Sequence, residues 1–277
     1  MTDQTPEAFL AWLGKTETQT DQIDPTRLAQ AASTFGRADV PETLPPLWHL
    51  FFCNEMTPAH ELAEDGHARL GEFMPPVTRL GPFNRRMWAA GDIRFDGELR
   101  AGETVQRTST IRNIALKDGR SGAMVFVDLE RLIEGAGGRV SEIRTVVYRH
   151  FDGSQTAPED QPLQASGGQA VRETWRPDER ELFRFSALTW NTHRIHYDRS
   201  FCQAVEAYPD ILVHGPYTAL KLASLAAAEG PLKRFTFRGR QPLFVNRSIS
   251  LTAAPDGQRY EALNFAGHLA MTARVER

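Results

Sequence analysis

The sequence predicts an α+β chain with antiparallel sheet, split into two halves, and three observations lead there. Each half has one helical segment with readable start and stop signals. Each also carries several period-two runs long enough for strands. Between them lies a stretch, 154–170, rich in Gln, Pro, Ser and Gly and almost free of bulky apolar residues. Such a stretch adds little to a core and reads as a linker. The expected boundaries are therefore 1–153, 154–170 and 171–277.

In the first half, Asp24 is placed to cap a helix, Pro25 to occupy its first position and Gly36 to end it. Leu28, Ala31, Ala32 and Phe35 fall on one face of that helix. Strands are expected over Met87–Phe95, Val105–Leu116, Ala123–Ile133 and Val140–His150, with Gly119 and the run from Gly135 to Gly138 supplying turns. In the second half Pro216 opens a helix reaching about Glu229, with Gly230 as its stop. That helix is apolar nearly all round, so it is expected to be buried. Phe235 with Phe237, and Ile249 with Leu251, alternate with polar residues as short strands do. Leu263 to Val275 alternates throughout and predicts one long strand.

Composition narrows the class. The chain has 277 residues, 41% apolar and 24% charged, with a net charge of -3. A net negative chain lacks the basic face that general nucleic-acid binding requires. No run approaches the roughly 18 apolar residues of a membrane span, and the N-terminus is polar and acidic, so a cytoplasmic protein is expected. Cys53 and Cys202 lie far apart and form no metal-binding or disulfide pattern.

The chemistry concentrates between Asn191 and Pro216. His196 has a side chain that exchanges protons near neutral pH, and Asn191 offers both an amide donor and a carbonyl acceptor. Gly215, just ahead of Pro216, stands at the mouth of the buried helix. Its N–H, backed by the helix dipole, is the best donor in the chain for a developing oxyanion. A protonatable imidazole beside such an amide suits addition of water across an activated double bond. His193 is as apt to be a supporting ring as a reacting one, Asp198 to orient the loop, and His214 to be structural. His60 and His67 show no acid/base partner at readable spacing and are expected to serve loop structure. No metal is expected, because Asn191, His193 and His196 have no carboxylate at a familiar ligand spacing.

The run from Phe185 to Asp198, with Leu212-Val213-His214-Gly215-Pro216, resembles the motif of MaoC-type (R-specific) enoyl-CoA hydratases and hydroxyacyl dehydratases. Those enzymes usually read Asp-x-Asn-Pro-x-His-x-Asp. Here Asn191 stands in the place of the first Asp, His193 in that of Asn and Arg194 in that of Pro. The variant pattern is similar to a narrower branch, the mesaconyl-CoA and itaconyl-CoA hydratases and the mitochondrial-type hydroxyacyl thioester dehydratases. Trp48 to Phe52, Glu61 to His67, Pro75-Pro76-Val77 and Arg85 to Gly91 resemble the non-catalytic first half of that branch.

The resemblance implies a double hot-dog, in which each half wraps a long antiparallel sheet around a helix, the second half being catalytic. It implies reversible hydration of an enoyl thioester, most aptly a short branched dicarboxylic acyl-CoA such as mesaconyl-CoA. Coenzyme A enters as part of the substrate and no other cofactor is implied; a homodimer of double hot-dogs is a possible assembly. On this reading His196, Asn191 and Gly215 carry the reaction. Either His196 serves as both base and acid while Asn191 holds the water, or His193 joins it; the first is favoured. Of the basic stretch Lys233, Arg234, Arg238 and Arg240, chiefly Arg238 and Arg240 would meet the phosphates of coenzyme A, or else the stretch is a solvated strand face. Arg85, Arg86 and Arg94, with Arg86 foremost, would instead neutralise a free carboxylate on the acyl group. The rival readings are an acyl-carrier-protein dehydratase, a hot-dog thioesterase and a non-catalytic thioester-binding module.

Overall fold

A computed structural model describes residues 6–68, 73–75, 83–119, 122–150 and 163–277. Its chain order is β1 (Thr16–Gln22), α1 (Pro25–Thr34), β2 (Arg85–Gly97), β3 (Thr104–Gly119), β4 (Gly122–Glu134) and β5 (Gly138–Arg149). The second half continues with β6 (Ala170–Trp175), α2 (Glu179–Thr189), α3 (Arg199–Ala204), α4 (Gly215–Ala227), β7 (Arg234–Gly239), β8 (Ile249–Ala253), β9 (Arg259–Leu263) and β10 (Leu269–Glu276). All ten strands join one antiparallel sheet in the order β1-β3-β4-β5-β2-β7-β10-β9-β8-β6. The halves contribute five neighbouring strands each and meet where β2 pairs with β7, from Ala90 opposite Arg238 to Arg94 opposite Arg234. This is the double hot-dog expected from the motif.

The predicted helices form for the predicted reasons. Asp24 accepts a hydrogen bond from the Thr26 N–H at 2.9 Å, and Leu28, Ala31 and Ala32 are buried. Helix α4 buries Tyr217, Ala219, Leu220, Leu222, Ala223 and Ala226, and packs on β2, β7, β9 and β10. It is the central helix of the second hot-dog, its apolar surface met on several sides. Helix α1 lies chiefly against α2 and reaches α4 through Phe35, whose ring is 5.5 Å from that of Tyr217.

Two sequence expectations change. The single strand expected over 263–275 is two strands, β9 and β10, joined by a tight turn. Asn264 Oδ1 accepts from the N–H groups of Ala266 and His268, and Gly267 takes the left-handed conformation the turn needs. The apolar alternation runs through the turn in sequence, but the inward face changes parity there, from Tyr260 and Ala262 in β9 to Met271, Ala273 and Val275 in β10. Helix α2 is the second difference. Asp178 caps it through the Glu181 N–H at 2.9 Å, and Leu182, Phe185 and Leu188 face inward. Of the expected linker, 154–162 lies outside the described residues, as do 151–153 before it. Its remainder lies along the second half, where the Leu163 carbonyl accepts from Leu269 N and Ser166 bonds Glu261.

Candidate active site

The stretch after α2 cannot continue as helix. Trp190 adopts the left-handed conformation that closes α2, and Asn191 Oδ1 then accepts from the His193 N–H at 3.0 Å, an Asx turn. Asp198 caps α3 through the Phe201 N–H at 2.9 Å and pairs with Arg194 at 2.7 Å. Those bonds hold its carboxyl below the usual range, the Phe201 amide first and Arg194 next. Asp198 thus fixes the loop and has no reach toward His196.

That loop sets His196 into the interior, 9% exposed, with Nδ1 2.9 Å from the Leu212 carbonyl oxygen. A carbonyl only accepts, so Nδ1 carries the proton and Nε2 keeps a lone pair. The ring stacks on that of His214 at 3.7 Å and meets that of His193 edge-on at 5.6 Å. His214 is fully buried, its Nε2 2.8 Å from Ser186 Oγ, and it is the residue from which α4 starts. Gly215 follows as the first residue of that helix, and its N–H meets no backbone acceptor among the described residues. Its closest neighbour beyond the helix is the Trp88 carbonyl oxygen, 3.9 Å from where a Cβ would lie. His196 thus lies against the residue that precedes Gly215, and the Trp88 backbone of β2 approaches Gly215 from the first half.

Burial pulls His196 down to about 4; the Leu212 carbonyl pushes the other way and His67 pulls further down. His214 is held well below its ordinary value by burial and then by His196. His196 is therefore neutral at pH 7 and able to accept a proton. We expect the acid limb of kcat/KM to fall near pH 4 rather than near the 6.5 of a free imidazole, as a pH–rate profile will measure. A limb at 6.5 would mean the base is a solvated group. The same shift bears on stability. Between about pH 6.5 and 4 the unfolded chain takes up a proton that the folded chain refuses, so acidification through that window destabilises the fold.

The first half contributes more than its sequence indicated. His67, expected to be a loop residue, hydrogen-bonds Asp65 Oδ2 through Nδ1 at 2.9 Å, and its ring lies 4.1 Å from that of His193. The segment is stitched to the motif loop by Arg194 N to the Asp65 carbonyl at 2.9 Å and Thr192 Oγ1 to the Gly66 carbonyl at 2.7 Å. Gly66 has φ +88°, and a Cβ there would stand 1.8 Å from the Thr192 carbonyl oxygen, so this contact admits only glycine. Asp65, His67 and His193 also offer ligand atoms within 4.8 Å of one another. The 2.9 Å Asp65–His67 contact has the length of a hydrogen bond, and the trio reads as an acid/base pair propping His193. Asp65, two residues before His67, corrects the expectation that His67 lacks a partner at readable spacing, whereas the contact with His193 was not readable because that ring lies in the other half.

The arginines divide by face. Arg86, Trp88 and Arg144 share the inner face with Tyr148, Arg86 lying opposite Tyr148. Arg238 is on the face of β7 opposite to buried Phe235 and Phe237, and it and Arg240 are exposed. Neither is brought to His196. Arg85 is buried and bound to Glu206 at 2.6 Å, and Arg94 is exposed.

The family model for hydroxyacyl-thioester dehydratase type 2 matches residues 47–245, which include both the Asp65–His67 pair and the His196–Gly215 site. A mesaconyl-C(4)-CoA hydratase of Chloroflexus aurantiacus is 39% identical over 277 residues, covering 97% of each chain. Among solved structures, HtdX of Mycobacterium tuberculosis superposes with a TM-score of 0.66 at 18% identity, over 94% of this chain and 99% of that one. Another M. tuberculosis protein, described as having a double hot-dog fold, gives 0.57 at 11% identity over 95% of each chain. No helix among the described residues is long and apolar enough to cross a membrane. The chain belongs to the hydroxyacyl-thioester dehydratase type 2 family and is a hydro-lyase built as a double hot-dog.

Proposed function

We propose that the protein reversibly hydrates a short, branched, dicarboxylic enoyl-CoA of the mesaconyl type. One observation carries the mechanism: a buried, neutral His196 fixed through Nδ1, with Nε2 left to react, beside the first amide of α4. The thioester oxygen accepts from the Gly215 N–H, and the positive end of α4 stabilises the enolate that develops. Nε2 of His196 takes a proton from water as the hydroxyl oxygen bonds the β-carbon and the π electrons move toward the thioester. The imidazolium then returns that proton to the α-carbon, so one water is added and nothing is left over. A histidine held near 4 is a weak base but a strong acid once charged, which favours the second transfer.

Asn191 spends Oδ1 on the loop and keeps its amide nitrogen to hold the water. His193, propped by His67 of the first half, meets the His196 ring edge-on. Arg238 and Arg240 are offered as contacts for the coenzyme A phosphates at the exposed entrance. No cofactor beyond the coenzyme A of the substrate takes part, the location is cytoplasmic, and a homodimer of double hot-dogs is the proposed assembly. The identity to a mesaconyl-C(4)-CoA hydratase over nearly the whole chain supports the choice of acyl group. Incubation with mesaconyl-C4-CoA is expected to remove the enone absorbance without releasing free thiol. Thiol release in place of enone loss would reject hydration in favour of hydrolysis.

A further inference from the structure

A stripe of charge crosses the inner face of the first half. Arg107 on β3 is 2% exposed and Glu142 on β5 is 1% exposed, while Arg131 on β4 lies opposite Glu142 and Arg144 follows on β5. Glu17 pairs with Arg107 at 3.0 Å, and His49 lies 3.7 Å from Glu142. The stripe divides the interior: Val105, Ile133 and Val140 belong to the large apolar core on one side, Leu129 and Val146 to a smaller one on the other. Burying ions costs several kcal/mol each, and apolar residues would hold the same sheet at least as well. Among the described residues the Nε atoms of Arg107 and Arg131 and Nδ1 of His49 still lack hydrogen-bond partners. A stripe so placed has a use other than packing.

Arg144 is its member nearest the reacting end. Its Nε and Nη2 fork onto the two carboxylate oxygens of Glu142 at 3.2 and 3.0 Å. Its guanidinium carbon lies 3.6 Å from the centre of the Trp88 ring, and Trp88 is the residue whose carbonyl faces Gly215. The cation therefore rests on the ring of the residue whose backbone approaches Gly215. The Trp88 indole N–H is spent on the Ala90 carbonyl at 2.8 Å, so the indole supplies a flat apolar seat without competing as a donor. Burial would raise Glu142, but Arg144 and then His49 hold it below the usual carboxylate range. Arg144 itself is lowered to about 10, by burial and then by Arg131, and stays charged at neutral pH. Nη1 is the part of the guanidinium not committed to Glu142.

We infer that Arg144 anchors the free carboxylate of the acyl group and thereby selects dicarboxylic over monocarboxylic enoyl thioesters. The inference rests on the hydration reading above. In a short diacid the free carboxylate is only a few bonds from the thioester, so its anchor has to stand close to Gly215. Arg85 is committed to Glu206 and Arg94 is exposed. Arg86 shares the inner face but lies beside Tyr148, further along β2.

The test compares the wild type with Arg144→Lys and with the double variant Glu142→Gln/Arg144→Gln, which removes both buried charges together. The readout is the ratio of kcat/KM for mesaconyl-C4-CoA to that for crotonyl-CoA. It should fall by about 30-fold or more in the double variant, the scale of losing charge-assisted hydrogen bonds, and less in the lysine variant. An unchanged ratio overturns the assignment. Calorimetry with succinyl-CoA and butyryl-CoA, which have no double bond to hydrate, reads the same anchor without turnover. The wild type should bind succinyl-CoA about 10-fold or more tighter; equal binding overturns the anchor even if the variants do not fold. Failure of the wild type to hydrate either enoyl thioester would instead reject the reaction and leave the binding comparison standing.

Discussion

Replacing His196 with alanine should lower kcat by about 10²–10⁴, the usual contribution of one positioned proton-transfer group. The expectation follows from the ring's geometry. Its Nδ1–H is committed to the Leu212 carbonyl and its faces to His214 and His193, so Nε2 is the one atom left to exchange a proton. His214 is no substitute, because its Nε2 is bonded to Ser186 and burial keeps it uncharged. Steady-state kinetics on a variant with wild-type circular dichroism decides the matter. Near-normal turnover in a folded His196→Ala protein would remove His196 from the mechanism and shift attention to His193 and its Asp65–His67 support.

The second large effect is on stability. Arg85, 5% exposed, meets Glu206, 3% exposed, at 2.6 Å, and also donates to the Glu206 carbonyl and lies 4.7 Å over the Tyr208 ring. The pair joins β2 of the first half to the segment between α3 and α4 of the second. Arg85→Met removes this cation from the buried Glu206 carboxylate, a change that costs about 3–5 kcal/mol where such pairs have been broken. Arg85→Met/Glu206→Leu removes both charges and should recover most of that loss. Chemical denaturation reads both variants. A single variant within about 1 kcal/mol of wild type, as exposed pairs behave, would mean the pair is solvated rather than a tie between the halves.

Much of this was legible in the chain, and the exceptions have physical causes. Asp24 and Pro25 announced α1, and the all-round apolar surface after Pro216 announced a buried α4, because caps and periodicity are local. The approach of His196 to the start of α4 was legible for the same reason, since both lie in one short stretch. The turn at Asn264 was hidden because alternation continued through it, and only the Asn-x-x-Gly spacing hinted at a break. Helix α2 has a readable start in Asp178 with Glu181 ahead of Leu182, Phe185 and Leu188, but its last turn overlaps the motif stretch that begins at Phe185. The contacts of His67 with His193 and of Arg144 with Trp88 were not readable, because each joins residues distant in sequence and no local pattern records them.

The central claim is that this site adds water across a carbon–carbon double bond. Its most direct test is to incubate the protein with mesaconyl-C4-CoA in ¹⁸O-labelled water and follow the acyl product by mass spectrometry. The expected product is an intact thioester heavier by one labelled water, with the label in a hydroxyl on the β-carbon. Free coenzyme A with the label in a new carboxylate would contradict it and show that the site cleaves the thioester.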